Sequence, residues 1–405
     1  MPQLIELCEL IVDCEHKTAP TQHSGYPSIR TPNIGKGRLI LDGVNRVSEE
    51  TYQAWTQREV PKPGDLILAR EAPIGNVAII PPGLELCLGQ RTVLIRANKK
   101  NLNPQYLNYL LLGDEIQGRI ASISNGATVH HLNMKDIREL EMPPVPDLAI
   151  QDRIASILST YDDLIENNTR RIKILEDMAQ MLYREWFVNF RFPGHEKVRL
   201  VESELGPIPK GWQPRRLGDL CSEVRRGVHP SEIDPDSPYI GLEHLPRKSI
   251  ALGEWGRAGD VGSTKLRFRR GEILFGKIRP YFHKVGVAPI DGVASSDAIV
   301  IVPSDPTYFS AVLCCVSSED FVLHATQTSQ GTKMPRANWA MLTKYPLPLP
   351  TGALLEKFNG VIEPIVEMLK NLVFRNRNLR TTRDFLLPKL ISGEIPVEAA
   401  TKATA

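Results

Sequence analysis

Hydrophobic and polar positions fall into two textures that alternate along the chain. Short apolar runs bounded by glycine and proline come first: "DLILA", "NVAII" and "TVLIRA" between Asp65 and Ala97, then "EILFG", "VGVAPI" and "AIVIV" between Glu272 and Val302. Such runs predict strands and turns. The helical stretches "PQYLNYLLLGDEIQGRIAS" and "TYFSAVLCCVSSEDFVLHAT" follow the two sets. Each series then passes through a proline-rich gate, "MPPVPD" or "YPLPLPTG", which ends regular structure because proline lacks the amide donor.

The second texture is a heptad. Ile154, Leu158, Tyr161, Ile165, Asn168, Ile172, Leu175, Ala179, Leu182 and Trp186 alternate spacings of four and three. That pattern predicts a long helix with a coiled-coil seam. Shifting by 204 gives Phe358, Ile362, Ile365, Leu369, Leu372, Asn376, Leu379, Arg383, Leu386 and Leu390, a second seam with two polar members. Antiparallel pairing with flush ends makes paired positions sum to 544, so Asn168 faces Asn376 and Tyr161 faces Arg383, a stacking partner. A polar pair inside an apolar seam fixes register at some cost in stability. Pro364 is expected to kink the second helix, and Pro388 to fray its end.

The two textures occur twice. "GDLILAREAP" at Gly64 and "GEILFGKIRP" at Gly271 are offset by 207, "SNGAT" at Ser124 and "SQGTK" at Ser329 by 205, and "PVP" at Pro144 and "PLP" at Pro348 by 204. The opening phrases "LIELCELIVDCEHKTAP" and "RLGDLCSEVRRGVHPSE" also correspond. Ordered matches with a slowly drifting offset mark a tandem duplication. The fold class expected is α+β, two tandem α/β recognition domains separated by two long helices pairing as an antiparallel coiled coil. The boundaries are 1–147 for the first domain, 148–192 for the central helix and 193–204 for a linker. The second domain is 205–351, the C-terminal helix 352–395 and a flexible tail 396–405.

Composition narrows the function classes. The 405 residues exceed one ordinary core. No apolar run approaches the roughly 20 residues that span a bilayer, and "MPQLIELCEL" lacks a basic leader, so neither membrane nor signal peptide is expected. Six scattered cysteines without CxxC spacing fit a reducing cytoplasm and no zinc site. A net charge of +2 leaves any polyanion site to local clustering. Nucleotide-binding, zinc-hydrolase and serine-hydrolase motifs are missing, as is the Asn/Asp-Pro-Pro-aromatic loop of amino-group methyl transfer. "DCEHK" (Asp13, Glu15, Lys17) has the residue types of a nuclease centre, but its carboxylates are two apart and the second copy lacks them. No catalytic residue and no metal site are expected.

The chemistry that is present is basic and aromatic. In "KLRFRRGEILFGKIRPYFHKVG", Lys265, Arg267, Arg269, Arg270, Lys277, Arg279 and Lys284 interleave with Phe268, Tyr281 and Phe282 against the single acid Glu272. Guanidinium forks address phosphates or guanine edges, and rings pack on sugar or base. The first copy offers Arg70, Gln90 and Arg91. The Gly-centred loops "SNGATVHH" and "SQGTKMPR" add Asn125, His130, Gln330 and Lys333; Lys17, Arg225 and Arg226 complete the DNA-binding candidates. Solvated strand faces and plain turns are the bland alternatives for these stretches.

"IQDRIASILSTYDDLIENNTRRIKILEDMAQMLYREWF" resembles the central conserved helix of type I restriction–modification specificity subunits, and "LRTTRDFLLPKLISGEI" resembles their C-terminal helix. The order of module, helix, module and helix covers the whole chain. The resemblance implies a non-catalytic DNA-recognition subunit of a bacterial or archaeal cytoplasm, each module reading half of a bipartite target in double-stranded DNA. The helices would set the unread gap and dock two methyltransferase subunits. It also implies that this chain binds no cofactor: S-adenosylmethionine comes with the methyltransferase, and ATP and Mg with the restriction/translocase subunits. The alternatives are a specificity module of a related bifunctional restriction–methylation system, or a helical protein-binding scaffold.

Overall fold

A five-stranded sheet organises the first half of the chain. In the computed structural model, which describes residues 1–124 and 131–397, its order is Cys8–Asp13, Thr92–Ala97, Leu66–Ala69, Val77–Ile79 and Gly37–Arg38. The first four pair antiparallel and the edge strand Gly37–Arg38 pairs parallel. Leu66–Ala69 is buried at every position, so this central strand is apolar throughout instead of alternating. The second half repeats the order with Cys221–Glu223, Ala298–Pro303, Ile273–Gly276 and Val285–Val287. Ile273–Gly276 is likewise wholly buried.

The duplication extends to single hydrogen bonds. Leu132 N donates to Arg70 O at 3.1 Å, and Ala337 N donates to Lys277 O at 2.8 Å. Leu4 N reaches Leu140 O as Leu217 N reaches Tyr345 O, both at 2.9 Å. The fold is mixed helix and sheet. Each expected helical stretch is a pair of helices: Pro104–Leu112 with Asp114–Ile123, and Phe309–Val316 with Glu319–Gln327. Gly113 is extended at the first junction. At the second, the Ser318 hydroxyl accepts from Phe321 N at 3.2 Å, satisfying a free amide at the new helix start.

The chain divides into two compact units, Met1–Asp163 with Leu379–Ala405, and Leu164–Asn378. Each contains part of both long helices, Leu148–Tyr183 and Gly352–Ile391. The first ends in a π-helical turn, Arg184–Val188. In the first unit, Ile154 and Leu158 join Leu4, Tyr106, Leu107, Tyr109 and Leu390 in one core. In the second, Ala179, Trp186, Phe358, Ile362 and Leu369 pack with Ile273, Phe275 and Leu313. Each such aliphatic or aromatic side chain contributes about 1.5–3 kcal/mol on burial.

The helices run antiparallel within each unit. In the second, Asn168 Nδ2 donates to Asn376 Oδ1 at 2.9 Å, both residues buried. The rings of Trp186 and Phe358 lie 5.6 Å apart. Both pairs sum to 544. In the first unit the stacking of Tyr161 on Arg383 is replaced by an ion pair one residue along. Arg383 Nη1 donates to Asp162 Oδ1 at 2.5 Å and Nη2 to Asp384 Oδ1 at 2.8 Å. A half-buried guanidinium gains more from a carboxylate than from a ring face. The second helix continues through Pro364 and Pro388. Each proline forfeits a backbone bond at about 3 kcal/mol, and the buried Phe358, Ile362, Ile365 and Val366 offset that locally at Pro364.

Candidate nucleic-acid interface

Strand direction sorts the basic residues. In the second unit, Arg269 and Arg270 lie at the entry of the strand Ile273–Gly276, whereas Lys277 and Arg279 lie at its exit. The stretch 265–284 therefore does not form one surface. At the exit end, Arg279 N donates to Pro335 O at 2.7 Å, which ties the turn after the strand to the Gly-centred loop Gln330–Arg336. Arg225 arrives at the same end, because Val224 N donates to Val300 O beside it, at 2.9 Å. Arg225, Lys277 and Gln330 thus line one open pocket of about 350 Å3, with Glu223, Arg336, Asn338 and Trp339.

The electrostatics of this end are partly neutralised. Arg225 pairs with Glu223 at 2.8 Å and titrates above its ordinary value through that hydrogen bond. Lys277 Nζ donates to Ser296 O. Arg279 holds a left-handed backbone conformation, φ 50°, with its guanidinium over the Phe282 ring and its Nε buried without a partner. Tyr281 is half exposed and packs edge-on against Phe282. Lys333 is exposed.

Other cations of this unit are engaged with partners inside the protein. Lys265 is buried, and its ammonium donates to Ser263 O and Oγ at 2.8 and 2.7 Å. Arg226 forms a two-pronged pair with Glu272 at 2.6 and 2.8 Å. Lys284 Nζ donates to Leu242 O, and burial, with Arg247 nearby, lowers its pKa. These three each have part of their donors held by the fold. Arg267 is exposed and donates to Glu232 O at 3.1 Å. Arg270 lies 3.7 Å from Glu367. Arg269 is exposed.

The first unit gathers its candidates at the corresponding exit end. Arg70 N donates to Arg91 O at 2.9 Å, and Gln90 Nε2 donates to His16 O at 3.1 Å. Arg91, at φ 66°, is exposed and paired with Glu71 at 2.7 Å. Lys17 is exposed nearby in sequence. The Arg70 side chain is 16 % exposed, holds both Asp13 oxygens at 2.9 Å and donates to Leu132 O at 2.8 Å, so it braces this end of the unit from within. Asn125 and His130 lie outside the described residues.

Among the described residues one group has metal-ligand types in reach of one another, Asp13, Cys14 and His16. Asp13 is already neutralised by Arg70, which disfavours a cation there. Sequence reasoning missed Arg336, Asn338 and Trp339. The signal was available, since "PRANW" continues the Gly-centred loop with the same interleaving of basic and aromatic residues. On the long helices, Ile174, Met178, Met181 and Val188 are about half exposed at heptad spacing, as are Val361 and Met368. An exposed apolar row on a helix marks a contact surface. No helix among the described residues is long and apolar enough to cross a membrane.

Residues 4–177 match the model of the type I restriction modification DNA specificity domain. The chain is 28 % identical over 372 residues to the type I restriction enzyme MjaIX specificity subunit of Methanocaldococcus jannaschii, covering 89 % of this chain and 84 % of that protein. It is 24 % identical over 332 residues to the EcoDI specificity subunit of Escherichia coli, covering 73 % and 71 %. The crystal structure of a type I restriction-modification S subunit from M. genitalium superposes with a TM-score of 0.60 at 16 % identity, over 96 % of this chain and 95 % of that one. That likeness is one of fold.

Proposed function

We propose that this chain, a relative of the type I restriction enzyme specificity subunits, is the sequence-specific DNA-binding subunit of such a complex, without catalytic activity of its own. The observation that carries the reading is the repeated exit end. Two units repeat the same strand order and make equivalent backbone bonds at the exit of the central strand, among the described residues, yet carry different side chains there. Each unit reads one half of a bipartite target, and the paired helices set the unread gap between halves. Lys17, Gln90 and Arg91 serve the first half; Arg225, Lys277, Gln330 and Lys333 serve the second. The exposed heptad row on the helices supports docking of two methyltransferase subunits, which supply S-adenosylmethionine. Restriction/translocase subunits with ATP and Mg complete the assembly, in the cytoplasm.

Coexpression with the neighbouring methyltransferase, followed by single-molecule mapping of methylated adenines, tests the proposal. Two short blocks at a fixed gap are expected. A stable complex that methylates a continuous motif overturns the two-reader arrangement, and failure to form a complex favours the scaffold alternative.

A further inference from the structure

We propose that Arg336 determines specificity in the second unit by reading the major-groove edge of a guanine in that unit's half-site. This rests on the DNA-reading function proposed above and adds a residue and a base to it.

Arg336 is firmly anchored by its backbone. Its N–H donates to Gln330 O at 2.8 Å and its carbonyl accepts from Gln330 N at 3.0 Å. On either side, Arg279 N donates to Pro335 O at 2.7 Å and Ala337 N donates to Lys277 O at 2.8 Å. A loop residue fixed on both flanks loses little backbone freedom on binding. Its guanidinium, by contrast, is only loosely held. The side chain is 55 % exposed and approaches a carboxylate only at 3.9 Å, from Asp297. Arg225 and Lys277 beside it have closer partners.

The lining of the pocket favours a base edge over a phosphate. A planar fork of donors fits two adjacent acceptors, which guanine presents as O6 and N7 and a phosphate presents as two oxygens. Around Arg336, however, stand the amides of Gln330 and Asn338 and the ring of Trp339, with Glu223 on the wall and Asp297 at the rim. Arg225 and Lys277 balance these two carboxylates, Glu223 being held by Arg225 at 2.8 Å, so net charge does not separate the two ligands. The two side-chain amides, which pair with the donors and acceptors of a base edge, favour the base.

The test uses the full chain in complex with its methyltransferase, as wild type, Arg336→Ala and Arg336→Lys. Mapped methylation in the Arg336→Ala complex should relax at one guanine of one half-site, leaving the other half and the gap unchanged. Affinity for the cognate duplex should fall roughly 10- to 100-fold, with affinity for a duplex mismatched at that guanine unchanged. Arg336→Lys keeps the charge but loses the fork, so it should relax the same position. Equal weakening on every duplex, with a salt slope reduced by about one, would make Arg336 a phosphate anchor and overturn the inference. An unchanged motif and affinity would remove Arg336 from the interface altogether. Absence of any bipartite motif in the wild-type complex would instead defeat the reading on which the inference rests.

Discussion

The two units share a sheet order and both bury apolar positions of the long helices, but they differ in the specific contact added to that packing. The first unit uses a polar junction: Tyr109 donates its hydroxyl to Asp162 Oδ2 at 2.6 Å, and Asp162 Oδ1 accepts from Arg383 at 2.5 Å. Burial and the neighbouring carboxylate raise the Tyr109 pKa, so the phenol remains a donor. The second unit uses rings. Phe187 packs edge-on against Phe358 at 4.9 Å and Trp212 at 5.6 Å, with Trp186 against Phe358. A duplicated fold therefore conserves backbone pairing while its attachments diverge. Backbone bonds are indifferent to side-chain identity, whereas each helix contact is solved separately by packing or by charge.

The largest expected effect tests the aromatic attachment. Phe358 is fully buried, so Phe358→Ala removes a ring that two others contact and should cost about 3–5 kcal/mol. Urea denaturation followed by tryptophan fluorescence reads it, since Trp186 and Trp212 belong to the same cluster. A loss below about 1 kcal/mol would mean the cluster repacks and is not the main attachment.

Next comes the polar junction. Asp162→Ala strands a half-buried guanidinium and a buried phenol, though Arg383 retains Asp384. The expected cost is about 2–3 kcal/mol, below that for a wholly isolated buried pair. The double variant Asp162→Ala with Arg383→Met should recover part of it, because the uncompensated charge is gone. Absence of recovery would place the loss in the Tyr109 hydrogen bond instead.

The helices were legible in the sequence because their signal is periodic and additive. The heptad pointed to Asn168 opposite Asn376, and the structure brings those two side chains within 2.9 Å. The strands Leu66–Ala69 and Ile273–Gly276 were legible for the same reason, as uninterrupted apolar runs between turn residues. The interface was not legible at the level of single side chains. Lys265 and Arg226 read as surface cations along the chain, yet Lys265 turns back onto Ser263 in a local loop, and Arg226 meets Glu272 only through tertiary folding. Arg336 closes the same Gly-centred loop as the candidates Gln330 and Lys333, but only the backbone pairing of Arg336 with Ile278 brings it to the strand exit, and no sequence pattern announces that pairing. Charge density along a chain does not say which end of a strand each charge occupies.

The smallest effect sharpens the comparison through pH. The second unit has one buried acid on the first long helix, Glu176, whose Oε1 accepts from Ser249 Oγ, Ile250 N and Ala251 N at 2.6, 2.7 and 3.0 Å. Desolvation raises its pKa above the ordinary 4.5, although these three bonds pull the other way. The folded protein therefore holds this proton more tightly than the unfolded chain does. The resulting stabilisation is complete below the unfolded value and is lost as pH rises through the folded one. At neutral pH the ionised carboxylate consequently costs stability relative to a neutral group of the same shape. Glu176→Gln keeps an oxygen for the three donors and removes the buried charge. It should melt slightly above wild type at about pH 8, with the difference shrinking toward about pH 4 as the wild-type carboxyl is protonated. A variant less stable than wild type at high pH would show instead that the charge strengthens those three hydrogen bonds by more than its desolvation costs. The second unit would then be fastened by charge as the first is, and the contrast between them would narrow to the aromatic cluster.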